Sequence, residues 1–278
     1  MNKRRIFKSA LLLSFFTVSN VALAEQFEKE NELIEQANQG ETKAMWYLYS
    51  KYCEIGDYQQ SLYWQEKYVN AEGVSNPSFE KNLLADAYQT GHCDPYGKGR
   101  NGPPLFPPNY AKAIEWFNKV VYLDEDKSSR HYFNAQFSLA EIYFWGKGGT
   151  PKDGMRAKRL YEEIANSPDV KSSSLNDLII KETRGRARHR LAQMFYFGDF
   201  TRQDYVKAYD WAMKSLQDYN SYGTIMVARM QYEGKGTKIN KAGATDLMGR
   251  VCDTGQSQQA CDWYQDMRDN RPLRAGSL

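Results

Sequence analysis

The tightest constraint on this fold is a pattern that recurs, seen best from Ala135 to Gly146, AQFSLAEIYFWG. Ala135, Leu139 and Tyr143 stand four apart and so share one helix face. Gly146 then supplies a residue that closes a helix in the left-handed conformation at little cost. A small residue, a Leu and an aromatic on one stripe describe a helix packed closely on a neighbour. The frame returns at Ala44, Leu48, Tyr52 and Gly56, at Leu84, Tyr88 and Gly91, and at Ala187, Leu191, Phe195 and Gly198. A weaker copy reads Gly223, Val227, Gln231 and Gly234. A sixth opens at Ala260 and frays into a polar tail, residues 271–278.

Each of the first five copies is followed by a second helical stretch. Its signature is clearest in Lys112-Ala113-Ile114-Glu115-Trp116-Phe117-Asn118-Lys119 and in Lys207-Ala208-Tyr209-Asp210-Trp211-Ala212-Met213-Lys214. The equivalent positions hold Ser61 and Trp64, Ala157 and Leu160, and Ala244 and Leu247. Each is a small residue with a bulky one three further on, again a buried helical stripe. Helix A, glycine turn, helix B, repeated in series, is a helical solenoid. Gly56 to Gly91 spans 35 residues and Gly198 to Gly234 spans 36, whereas Gly91 to Gly146 and Gly146 to Gly198 span 55 and 52. The two longer units therefore carry insertions. One lies near 94–109, where five prolines and three glycines forbid regular structure. The other lies near 167–183, where a Ser cluster is placed to cap a short extra helix. Residues 25–40, with Phe27, Leu33, Ile34 and Ala37, read as a lead-in helix.

The combined pattern, A-x3-L-x3-Y-x2-G followed by K-A-x2-W-[YF]-x-K, resembles the Sel-one-like repeat, a relative of the tetratricopeptide repeat. The resemblance covers residues 41–270 and departs from the pattern at Gly223 and Gln231 and in the two insertions. It implies an all-α, right-handed α/α-solenoid of about five helix-turn-helix repeats with a terminal capping helix. It also implies a binding role rather than an enzymatic one. Exported bacterial members include adaptors at host or envelope contacts and immunity proteins that neutralise secreted toxic effectors. Cysteine-rich secreted relatives are linked to β-lactam or cell-wall compounds, which gives an enzymatic alternative, and an envelope-assembly adaptor is a further one.

The first residues read as a secretory signal peptide. Lys3, Arg4, Arg5 and Lys8 precede an apolar run, and Ala22-Leu23-Ala24 closes it before Glu25. The run is short and broken by Ser14, Thr17, Ser19 and Asn20, which argues against a membrane anchor. Cleavage after Ala24 would leave 254 residues and lower Lys plus Arg from 37 to 33 against 34 Asp plus Glu. A net charge of about −1 asks for no nucleic-acid partner. No later stretch is apolar enough to span a bilayer. The expected product is a monomer in the periplasm or outside the cell, with another protein, from the envelope or an effector, as partner.

Export places Cys53, Cys93, Cys252 and Cys261 where disulfides persist. In the repeat order Cys252 ends one helix B and Cys261 opens the next helix A, across the turn Asp253-Thr254-Gly255, so the two fall within bridging reach. Similar staples occur in cysteine-rich members of the resembled family. Cys53 and Cys93 are then left to pair, and the loop position of Cys93 leaves that open. Free buried thiols are the other reading, and His92-Cys93-Asp94 is too compact to converge on one metal ion.

No nucleophile motif, phosphate loop or metal spacing appears, and no cofactor is expected. Most aromatics fall on the frame. Tyr96, Phe106, Trp145, Tyr196 and Phe197 do not, and exposed aromatics on a rigid scaffold serve as partner anchors. Arg184, Arg186, Arg188 and Arg190 sit where the fourth helix A begins, against the helix dipole. They form either a solvated face offset by Glu162, Glu163 or Glu182, or a docking patch for an acidic partner.

Overall fold

A computed structural model describes residues 28–93, 102–124, 126–168, 174–218, 220–255 and 257–276. The leader, Phe27, Tyr96 and the first part of the proline-rich insertion lie outside the described residues. Among those described, the regular structure is helical. The chain falls into two compact units, one ending at Pro108 and the other beginning at Asn109.

In the first unit, residues 28–38 form α1, followed by α2 (Thr42–Glu54), α3 (Tyr58–Val69) and α4 (Pro77–Thr90). Its core joins Ala37 of α1 to Met45, Leu48 and Tyr49 of α2 and Trp64 of α3, with Leu33 and Ile34 packed against them. Ser61, wholly buried, donates through Oγ to the Tyr49 carbonyl at 2.8 Å, a hydrogen bond that only a small residue at this crossing allows. Cys53 and Cys93 are joined, tying the last turn of α2 to the segment after α4 across 40 residues of chain.

The second unit contains α5 (Tyr110–Asn118), α6 (Arg130–Trp145), α7 (Gly154–Ala165), α8 (Leu175–Phe197), α9 (Tyr205–Gln217), α10 (Ser221–Glu233), α11 (Lys241–Asp253) and α12 (Gln258–Arg268). A π-helical turn, Lys119–Leu123, follows α5. Within this unit α6–α7, α8–α9 and α10–α11 are helix hairpins stacked in series, and α12 packs on α11. The A helices α6, α8 and α10 also touch one another in order. This is an α/α-solenoid. The frame residues Ala135, Leu139, Ala187 and Leu191 are fully buried, as are Ala157, Ala208 and Ala244 of the B helices. Burying each Leu stabilises by about 1.5–3 kcal/mol.

Local chemistry fixes the hairpins. Gly146, Gly198 and Gly234 take φ of 67°, 79° and 69° and end the A helices. Asp153, Asp204 and Asn240 then cap the B helices, each side chain accepting from the backbone N–H three residues on. The same three residues donate their own N–H to the carbonyls of Tyr143, Phe195 and Gln231, so one turn geometry recurs. The substitutions at the fifth unit have local causes. A Cβ at Gly223 would run into Ser215 and the backbone N of Leu216, and Gln231 donates to Tyr209 Oη at 2.9 Å.

Three expectations are revised. The Ser cluster caps no separate short helix: Ser174 caps α8, which runs unbroken for 23 residues through the second insertion into the frame. The arginine run therefore lies well inside α8, away from its N-terminal dipole. The described residues after α12, up to 276, do not fray. Arg274 donates from Nε and Nη2 to Asp266 at 2.9 and 2.8 Å, Tyr232 Oη donates to the Arg271 carbonyl, and Trp263 Nε1 to that of Arg274. The side chain of Arg274 and its backbone N–H hold the Asp266 carboxyl well below its usual range. Cys252 and Cys261 are joined across the α11–α12 turn, nine residues apart, so the terminal helix is held at both ends.

Arg184 and Asp218 form a desolvated clasp at the centre of the second unit, with side chains 3% and 2% exposed. Arg184 donates from Nε and Nη2 to Asp218, Arg188 adds a third bond at 2.7 Å, and their remaining donors reach the carbonyls of Pro168, Ala165 and Lys214 at the ends of α7 and α9. Carbonyls left over at helix C-termini are satisfied in this way. Asp218→Ala would strand two arginines, one fully buried. Stability should fall by about 3–5 kcal/mol, read as a lower denaturation midpoint. A loss under about 1 kcal/mol would contradict the clasp.

Candidate functional site

The side-by-side A helices of the second unit leave a cleft of about 290 Å³ lined by Phe137 of α6, Arg186, His189 and Arg190 of α8, and Tyr222 of α10. A broader hollow of about 570 Å³ includes Leu178 and Lys181 and shares Arg186 and Tyr222 with it. Register explains the meeting. Arg186 and Tyr222 each precede the small residue of their frame, and Phe137 and His189 each follow it by two. One frame repeated on neighbouring helices thus brings residues distant in sequence to one place.

Arg190 is held by Glu141 of α6. Its Nε and Nη2 donate to the carboxylate at 2.7 and 3.0 Å, and its Nη1 donates to Gln193 at 2.8 Å. Tyr161 Oη and Trp145 Nε1 donate to the same carboxylate at 2.6 and 3.2 Å. Burial alone would raise the Glu141 carboxyl, but the hydrogen bond and charge of Arg190, aided by Tyr161 and Lys147, bring it below its ordinary value. Burial and the Glu141 charge push the Tyr161 hydroxyl well up. Arg186 is different: it is exposed, lies 4.1 Å from the Phe137 ring centre, and has no carboxylate partner among the described residues.

His189 is buried beneath this surface, 5.6 Å from the Tyr222 ring, and its Nδ1 has no hydrogen-bond partner among the described residues. Burial, with Arg190 nearby, depresses its pKa to about 3, so the ring is neutral near pH 7.

The positions singled out from sequence separate accordingly. Arg184, Arg188 and Arg190 are bonded to Asp218 and Glu141, carboxylates 30 to 49 residues away, and only Arg186 of the four is exposed. Their partners are not Glu162, Glu163 or Glu182; Glu162 pairs with Lys158 and Glu163 accepts from Gln136. Tyr196 is no surface anchor either. It is buried in the α8–α9–α10 core, where its hydroxyl donates to Glu233 and accepts from Lys235. Trp145 and Phe197 are exposed, 47% and 49%, on successive A-helix ends. Phe106, in the first unit, is half-buried against Tyr58. Tyr96 lies outside the described residues. Phe137, His189 and Tyr222 were not singled out as site residues; their fixed offsets from the frame are the signal that points to them.

Among the described residues no group of three or more His, Cys, Asp or Glu could hold a metal ion. No described helix is long and apolar enough to cross a membrane.

The Sel1 repeat model matches residues 82–120, 134–169 and 185–215. A Sel1 repeat protein from Oxalobacter formigenes is structurally similar, with a TM-score of 0.52 at 14% identity over 86% of this chain and 87% of that one. A Sel1 repeat protein from Klebsiella pneumoniae aligns with a TM-score of 0.39 at 20% identity, over 86% of this chain and 99% of its own. A protective antigen of uropathogenic Escherichia coli strains aligns at 0.36 and 16% identity, over 88% of this chain and 53% of its own. No curated protein matches the sequence.

The depressed His189 pKa sets a pH dependence. The unfolded chain binds this proton below about pH 6.5 while the folded chain refuses it until about pH 3, so His189 removes stability as pH falls through that window. The slope from one group is about 1.4 kcal/mol per pH unit. Unfolding midpoints measured from pH 7 to pH 4 should fall more steeply for the native chain than for His189→Gln. Parallel curves would contradict a neutral, buried His189.

Proposed function

From a chain that belongs to the Sel1 repeat family, we propose a scaffold that binds another protein through the face formed by α6, α8 and α10. The observation that carries this reading is the pair of adjoining hollows on that face, sharing exposed Arg186 and Tyr222. A rigid solenoid offers extended surface of this kind, and exposed aromatic and Arg side chains are the residue types that dominate binding energy at interfaces.

The scaffold works outside the cytoplasm. Support comes from the leader-like first 24 residues and from two disulfides, bonds that persist in oxidising compartments. In its specific form the proposal is an immunity protein whose partner is a toxic effector met after export.

A photo-crosslinking residue placed at Tyr222, and as a control at exposed Ile239, tests the reading in cells producing the full chain. One protein should be joined from position 222 and not from 239. Failure to join any protein from position 222 would contradict the scaffold face. The joined protein, expressed without this chain, should arrest growth, and co-expression should relieve the arrest. A harmless partner would overturn the immunity assignment while leaving the scaffold standing.

A further inference from the structure

Four arginines line up on α8 within seven residues, and three are paired with carboxylates inside the protein. Arg184 and Arg188 share Asp218, and Arg190 has Glu141. Arg186 keeps its charge. Its guanidinium carbon lies 4.1 Å from the Phe137 ring centre, within cation–π range, and a guanidinium engaged through its face keeps N–H donors at its edge for a further acceptor. The cleft it enters is lined by the aromatic side chains of Phe137 and Tyr222, with His189 and the Glu141-bound Arg190 beside them.

Resting on the scaffold reading above, we infer that this cleft takes one carboxylate side chain, Asp or Glu, from an extended segment of the partner, with apolar residues beside it. The acidic group accepts from the Arg186 guanidinium. The flanking residues pack on Phe137 and Tyr222 and run into the adjoining hollow, where Leu178 is 54% exposed.

Size and charge favour this occupant over a polyanion. A cleft of about 290 Å³ accommodates a side chain and its neighbours, not a duplex or a bilayer surface. Nucleic acids and anionic membranes are held by many cations acting together. Here the cations lining the two hollows are Arg186, Lys181 and the Glu141-bound Arg190, with Glu182 and Asp218 beside them, too few for a polyanion. An arginine–carboxylate pair in a partly dehydrated cleft is strong and directional.

The test is selection of random twelve-residue peptides displayed against the immobilised full chain, followed by fluorescence-polarisation titration of those recovered. Recovered sequences should be enriched in Asp or Glu next to Leu, Phe or Tyr. Arg186→Gln should weaken their binding about tenfold, as should replacing the acid by its amide. Arg250→Gln, an exposed arginine on α11, should leave binding unchanged. Peptides lacking an acidic bias, peptides that bind Arg186→Gln equally well, or recovery of none would each overturn the inference. If a protein is still joined from position 222 in that event, the scaffold reading stands and only the chemistry assigned to this cleft falls.

Discussion

Paired helices in this chain approach so closely that their crossing points hold only Ala, Ser or Gly. Ala135, Ala157, Ala187, Ala208 and Ala244 are fully buried, Ser61 bonds across its crossing, and Gly223 has no room for one methyl group. Closeness at these points lets the Leu, aromatic and Trp positions of the frame interlock on either side. No single hairpin can hide both faces of its helices, so each one is stabilised by the next. The proposed binding face follows from the same constraint. With crossings fixed, residues one before and two after the small position on α6, α8 and α10 are brought to one cleft.

Charge is arranged around this packing. The three buried or half-buried arginines of α8 end on Asp218, Glu141 and helix-terminal carbonyls, which locks α8 to α6, α7 and α9. Such pairs are costly to desolvate and fix geometry more than they add stability. They also leave Arg186 as the exception, with a rigid surrounding that holds it in place. The internal ion pairs and the exposed arginine thus occupy interleaved positions on one helix.

Much of the fold was legible in the sequence because the frame is local. Ala, Leu and Tyr spaced by four specify a helix face, and a following glycine specifies its end. The Cys252–Cys261 bridge followed from repeat order together with the leader that points to export. What was not legible depends on contacts between distant residues. Nothing local pairs Arg184 with Asp218 or Arg190 with Glu141, so the arginine run read as one surface feature when it is three arginines held in two internal clasps and one exposed charge. Ser174 read as the start of a separate helix because the insertion hides its continuity with α8. The segment after α12 read as a loose tail because its anchors, Tyr232, Trp263 and Asp266, lie upstream in other elements. Tyr196 shows the same limit: off the frame by one residue, it still turns inward to Glu233 and Lys235.

Gly223→Ala tests the close-approach claim most directly, because two physical effects predict opposite signs. Intrinsic helix propensity favours alanine over glycine inside a helix by about 1 kcal/mol. Packing opposes it, since the added methyl meets Ser215 and the backbone of Leu216, and overfilling such a contact costs about 1–3 kcal/mol or more. Equilibrium unfolding of the full chain should show Gly223→Ala less stable than the native protein. A variant as stable as the native chain, or more so, would contradict an architecture that depends on helices touching at their smallest residues.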